Sequence, residues 1–275
     1  MLVGVIVACA LIFGAGTFAL LQRTGEQPAA PKQQASTPTA RQKVPNPPKP
    51  PLIDLQPVVD QWVAAHSGDY GIAVYDPDNK KMVATHQADK QFFTASIYKL
   101  YVVYLQLIDI QKGVRTADEL FRGDYSRQKC IEEAVRTSDS PCAEALMAEL
   151  TQASMNTRLQ AYGLTSTAFP GFVTSAEDVA KILIRFQANQ DLSQANTSIL
   201  RTVMEQQIYR KGLPDGMPQA TVADKVGFSE TPHYHDVGIV TLPNKRQYVV
   251  VFLSQGVGTR VVADFGKTIF ATLNQ

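Results

Sequence analysis

SIYKLYVVYLQLIDIQK, residues 96–112, is a long and mostly apolar stretch stopped by Gly113. At seventeen residues it exceeds an ordinary strand, so it predicts a helix buried in a core. Strand signals flank it on both sides. Residues 70–75 (YGIAVY) and 81–86 surround Asp76-Pro77-Asp78-Asn79, a hairpin by pattern and turn chemistry. Three further strand-like runs follow at 221–228, 236–241 and 247–254, the last two joined through Pro243-Asn244. Between these ends the chain reads as helix, near 141–162, 175–189 and 193–209, and a closing helix runs from about Arg260 to Leu273. Pro141 after Ser140 suits a first helical turn, and Thr174 with Glu177 has capping-box spacing. Strands at both ends with helices between them predict an α+β fold: an antiparallel sheet of about five strands, flanked by N- and C-terminal helices, with an inserted helical subdomain.

Three segments are expected. Residues 1–21 carry no charged side chain and are long enough to cross a hydrocarbon core, so they read as a transmembrane anchor. A cleaved signal peptide would have a basic start and a shorter apolar core. Ile6-Val7-Ala8-Cys9 has the look of a lipobox, but the apolar run continues past Cys9. Residues 22–52 hold half of the sixteen prolines and form a flexible, extended linker. The globular domain is then 53–275. Five basic residues of the linker face only Glu26, a balance that the positive-inside rule would place in the cytoplasm. An upstream start to the chain would reconcile this with a domain on the outer side. The folded part is left slightly acidic, which excludes the basic stripe of a nucleic-acid binder.

Ser96-Ile97-Tyr98-Lys99 opens the buried helix. Three residues apart, a serine hydroxyl and a lysine amine share one helix face, and a desolvated lysine can lose its proton and act as a base. Ser126-Arg127-Gln128-Lys129 repeats the spacing in a polar stretch and reads as surface. Two more elements follow in order, Ser138-Asp139-Ser140 between helices and Lys225-Val226-Gly227 on a strand. The set Ser-x-x-Lys, Ser-Asp-x, Lys-x-Gly resembles that of class A β-lactamases and penicillin-binding proteins. FFTASIYKL, AVRTSDSPCAEALM, LPDGMPQATVADKVG and HDVGIVTLP are similar to that family's segments in its order, and the resemblance covers essentially all of 53–275.

The resemblance implies a serine acyl-transfer hydrolase without cofactor or metal, acting on a β-lactam or a D-Ala-D-Ala-like cell-wall peptide. A non-catalytic peptidoglycan-binding module of the same fold is the competing reading. Ser96 would be the nucleophile and Lys99 its base. Ser138 would pass the proton to the leaving nitrogen, and Lys225 would steady Ser138 and attract the substrate carboxylate. The N–H groups of Ser96 and Phe228 would form the oxyanion hole, and Asp139 would be structural. Ser140, Val226 and Gly227 fall at substrate-binding positions. Ser140 stands where the family usually has Asn, and Val226 replaces a hydroxyl-bearing residue. In class A β-lactamases a Glu before the next helix activates the deacylating water, yet Thr165 to Val173 contains no acid, and the nearest, Glu177, reads as a cap. Slow deacylation is therefore expected.

Cys130 and Cys142 bracket the Ser138-Asp139 loop and are expected to pair; two buried free thiols are the alternative. His233-Tyr234-His235 has no third ligand signalled and reads as a strand-connecting loop. The domain is expected to be monomeric and extracytoplasmic, tethered through its N-terminal helix.

Overall fold

The computed structural model describes residues 49–230 and 233–275. The expected anchor, 1–21, and nearly all of the expected linker, 22–52, lie outside these residues. Among the described residues no helix is long and apolar enough to cross a membrane.

Five antiparallel strands form the main sheet, in spatial order Lys81–His86, Asp69–Asp76, Gln247–Gln255, Tyr234–Thr241 and Thr221–Phe228. The two sequence ends meet at its centre, where Val74 sits opposite Val250 and Ile72 opposite Phe252. Both faces are covered. On one, Trp62 of the helix Gln56–Ala65 packs edge-on against Phe252 and against Phe265 of the closing helix Thr259–Leu273. The other face carries the helical part, at whose centre the helix Tyr98–Gln111 has nearly every side chain buried. A helix apolar all round belongs inside a core, which is why residues 96–112 determine the architecture.

The hairpin turn forms as its residues imply, with Asp76 Oδ1 accepting the N–H groups of Asp78 and Asn79. Other expectations change. The stretch 141–162 is two helices, Ser140–Leu150 and Gln152–Ala161, because Thr151 adopts a positive φ of 57° and its hydroxyl caps the second. The helix Ala176–Gln187 is capped by Ser175, whose hydroxyl accepts from Asp178 N, and not by Thr174 with Glu177. Thr174 is occupied elsewhere, hydrogen-bonded to the hydroxyls of Tyr101 and Thr167. His235 lies within a strand and not in a loop. Two short strand pairs carried too few residues to show a period: Phe92–Phe93 with Val173–Thr174, and Leu120–Arg122 with Tyr125–Ser126.

Candidate active site

The buried helix does not begin at Ser96. A single 3₁₀ turn, Ala95–Ile97, precedes it, and Ala95 enters with a φ of 43°. Two devices hold this turn. Gly227, on the edge strand Thr221–Phe228, lies so close that a Cβ there would sit 3.2 Å from Ser96 N and 3.1 Å from Thr94 O. The glycine of Lys-x-Gly is thus what lets the strand approach the serine. From behind, buried His235 donates from Nε2 to the Phe93 carbonyl at 2.7 Å, while its Nδ1 accepts Ser254 N–H at 3.0 Å. Those partners fix a neutral imidazole, and burial lowers its pKa to about 4.

Lys99, one turn beyond Ser96, is buried and reaches across to the loop between the helices Arg127–Arg136 and Ser140–Leu150. Its ammonium donates to the Ser138 carbonyl at 2.5 Å, to Ser140 Oγ at 2.9 Å and to Ser138 Oγ at 3.3 Å. Ser138 presents carbonyl and hydroxyl together because it adopts a φ of 60°, a strained backbone for a residue with a side chain. Asp139 supports the loop by accepting Cys142 N–H at 2.7 Å, and Cys142 is disulfide-bonded to Cys130. Lys225 arrives from the opposite side, donating to the same Ser138 hydroxyl at 3.0 Å and to the Val226 carbonyl at 2.7 Å. Both lysines are held below the ordinary ammonium range. Burial lowers Lys99 to about 8 and Lys225 to about 7, and the charge of Lys99 pushes Lys225 further down.

Beneath Lys225, Asp224 and Asp236 turn their carboxyls towards each other, with Arg210 on Asp224 and Leu213 N–H on Asp236. Burial raises both acids, Asp224 to about 7. Sequence reasoning passed over this pair, since adjacent-strand pairing alone brings Asp236 beside Asp224.

Ser96, Phe93, Ala95, Tyr98, Ser140, Glu144, Met147, Phe172 and Phe228 line an open cleft of about 290 Å³. Val226 does not; strand alternation turns its side chain from the Lys225 face, and it is fully buried. Phe228 is 44% exposed at the cleft edge. On the far wall, Thr94 N–H holds the Phe172 carbonyl at 2.7 Å and the Phe172 ring packs edge-on against Tyr98. Asn156 binds both backbone groups of Phe169, fixing the acid-free segment 165–173. Glu177 is remote from this wall's chemistry, ion-paired with Lys181 at 3.0 Å. The second Ser-x-x-Lys is a helix start, with Ser126 Oγ accepting Lys129 N–H and Lys129 paired to Glu133. Among the described residues no group of acidic, histidine or cysteine side chains could hold a metal.

Sheet, helical half and the Ser–Lys–Ser–Lys constellation define a serine hydrolase of the class A β-lactamase type. The chain belongs to the β-lactamase enzyme family, whose model matches residues 54–273. Among solved structures, a β-lactamase from Chitinophaga pinensis aligns with a TM-score of 0.73 and 20% identity, over 78% of this chain and 98% of its own. PBP-A aligns with a TM-score of 0.74 and 21% identity, over 82% and 98%. A mutant of PBP-A, solved as an acyl-enzyme complex with penicillin G, aligns with a TM-score of 0.74 and 21% identity, over 83% and 99%. No curated protein matches the chain by sequence.

Proposed function

We propose that the protein acylates itself on Ser96 with β-lactams and releases the product slowly. The observation that carries this reading is the convergence of two buried lysines on one serine hydroxyl, beside a second serine at the cleft. In the acylation step Ser96 Oγ attacks the carbonyl carbon while Lys99, as neutral amine, takes its proton. The N–H groups of Ser96 and Phe228 receive the oxyanion, a contribution of about 2.7–4 kcal/mol per donor in sites of this kind. The C–N bond then breaks, Ser138 protonates the leaving nitrogen and is reprotonated from Lys99, and Lys225 holds Ser138 in place and attracts the substrate carboxylate. The acyl group remains as an ester on Ser96.

Release requires a base for water on the other side of the ester. No acid lies between Thr165 and Val173, and the aromatic ring of Phe172 fills that wall. Loss of a positioned general base costs about 10²–10⁴ in rate, so the acyl-enzyme accumulates. The acyl-enzyme complex of the PBP-A mutant with penicillin G supports acylation by a penicillin on this fold. A D-Ala-D-Ala-like peptide is the alternative substrate, as its smaller acyl group leaves water more room. A purely binding role would need neither the nucleophile nor the desolvated lysines. The Cys130–Cys142 bond supports an oxidising, extracytoplasmic location, to which residues 1–21 would tether a monomeric domain.

Intact-protein mass spectrometry with and without a penicillin is the test. A single adduct with the mass of the whole β-lactam is expected, mapping to Ser96 and absent in Ser96→Ala. An adduct on Ser126, or one that persists in Ser96→Ala, would refute the assignment.

A further inference from the structure

The helix Ser140–Leu150 turns one stripe towards the catalytic cleft: Ser140, Glu144 and Met147 all line it. Ser140 and Glu144 are four residues apart, about one turn and roughly 5–6 Å along the same face. Since Ser140 Oγ touches the Lys99 ammonium at 2.9 Å, the next turn carries Glu144 along the wall that Ser96 also lines. Its carboxylate is felt electrostatically by both Lys99 and Tyr98.

Among the described residues lining this cleft Glu144 is the one acid. The neighbouring acids are all engaged elsewhere. Asp139 caps its helix through Cys142 N–H, Asp178 accepts from Ser166 N–H and the Thr167 hydroxyl, and Glu177 pairs with Lys181. Among the described residues Glu144 makes neither a hydrogen bond nor an ion pair, and it is exposed to solvent in the cleft. Around it stand Tyr98, Met147 and Phe172, which offer a water no competing base.

We infer that Glu144 is the general base of the slow deacylation, supplying from the helix Ser140–Leu150 the carboxylate that the segment 165–173 lacks. This rests on Ser96 being the acylated residue. A water between Glu144 and the ester gives its proton to the carboxylate as its oxygen bonds to the ester carbonyl carbon. The tetrahedral intermediate collapses with cleavage of the bond from that carbon to Ser96 Oγ. The proton passes from Glu144 to the departing Oγ, leaving a free carboxylic acid and regenerated serine.

The experiment compares native protein, Glu144→Gln and Glu144→Asp, each acylated with penicillin G. Loss and regain of free Ser96 are followed by intact mass, with thermal melting as a check on folding. Glu144→Gln is expected to acylate within about threefold of native and to release product at least about tenfold more slowly. Glu144→Asp, which keeps the charge on a shorter arm, should fall between them. Unchanged release in Glu144→Gln would overturn the inference. So would an equal fall in both steps, which would mean that Glu144 acts through the charge of Lys99. Absence of any Ser96 adduct in the native protein would instead overturn the proposed function, and this inference with it.

Discussion

The two walls of the cleft are built to different standards. On the Ser138 wall the polar groups of the Ser138–Asp139 loop are tied down: the Ser138 hydroxyl receives two lysines, its carbonyl a third hydrogen bond, and Asp139 and the Cys130–Cys142 bond brace the loop from behind. The Phe172 wall is also firmly held, through Thr94 N–H and Asn156, yet what it turns to the cleft is an aromatic ring. One wall can move protons and the other cannot. Acylation needs a base beside Ser96, and Lys99 is one turn away; hydrolysis of the ester needs a base that the Phe172 wall lacks, and among the described residues lining the cleft the one acid is the exposed Glu144 of the helix Ser140–Leu150. On the proposed mechanism the two half-reactions of the acyl-enzyme are therefore separable, and the buried polar groups are gathered where acylation would use them.

Removing the base from the well-built wall should produce the largest effect. Lys99→Ala is expected to slow acylation by about 10²–10⁴ while leaving the acid-poor wall untouched. Stopped-flow acylation rates decide this, and a fall of less than about tenfold would mean that Lys99 is not the base.

A smaller effect is expected from pH. Lys99, lowered to about 8, must be neutral to take the serine proton, so the acylation rate should rise about tenfold per pH unit below about 8 and then level off. Substrates bearing a carboxylate should also lose rate on the alkaline side as Lys225 gives up its charge, since burial and the neighbouring Lys99 hold it near 7. Because both ammonium groups contact Ser138, the measured midpoints belong to the pair. An acylation rate flat from acid to alkaline pH would contradict the assignment.

Much of this was legible in the sequence wherever one physical constraint acted on contiguous residues. The long, mostly apolar run 96–112 reads as a buried helix, and alternation with turn chemistry marked the hairpin and the three later strands. The four polar residues Ser96, Lys99, Ser138 and Lys225 were readable as an ordered set, and they line one site or bond across it. What escaped notice depended on contacts between distant segments. The break at Thr151 is a backbone conformation with no composition signal, since threonine is not a residue that favours positive φ. His235 and Asp236 gain meaning only from what the fold sets beside them, Phe93 for one and Asp224 for the other. Val226 holds a substrate-binding place in the motif by resemblance alone, and in the fold it is a fully buried residue of the edge strand. Glu144 could have been found, because it stands four residues after Ser140 on a predicted helix, one turn along the face that bears the motif.

The central claim, that acylation outruns release, is tested most directly by mixing the protein with excess chromogenic cephalosporin and following the first turnovers. The account predicts a burst approaching one equivalent of opened β-lactam per protein, absent in Ser96→Ala, followed by a steady rate slower by about 10² or more. Rapid steady hydrolysis that depends on Ser96 and shows no burst would contradict it, and would mean that the site activates its deacylating water efficiently.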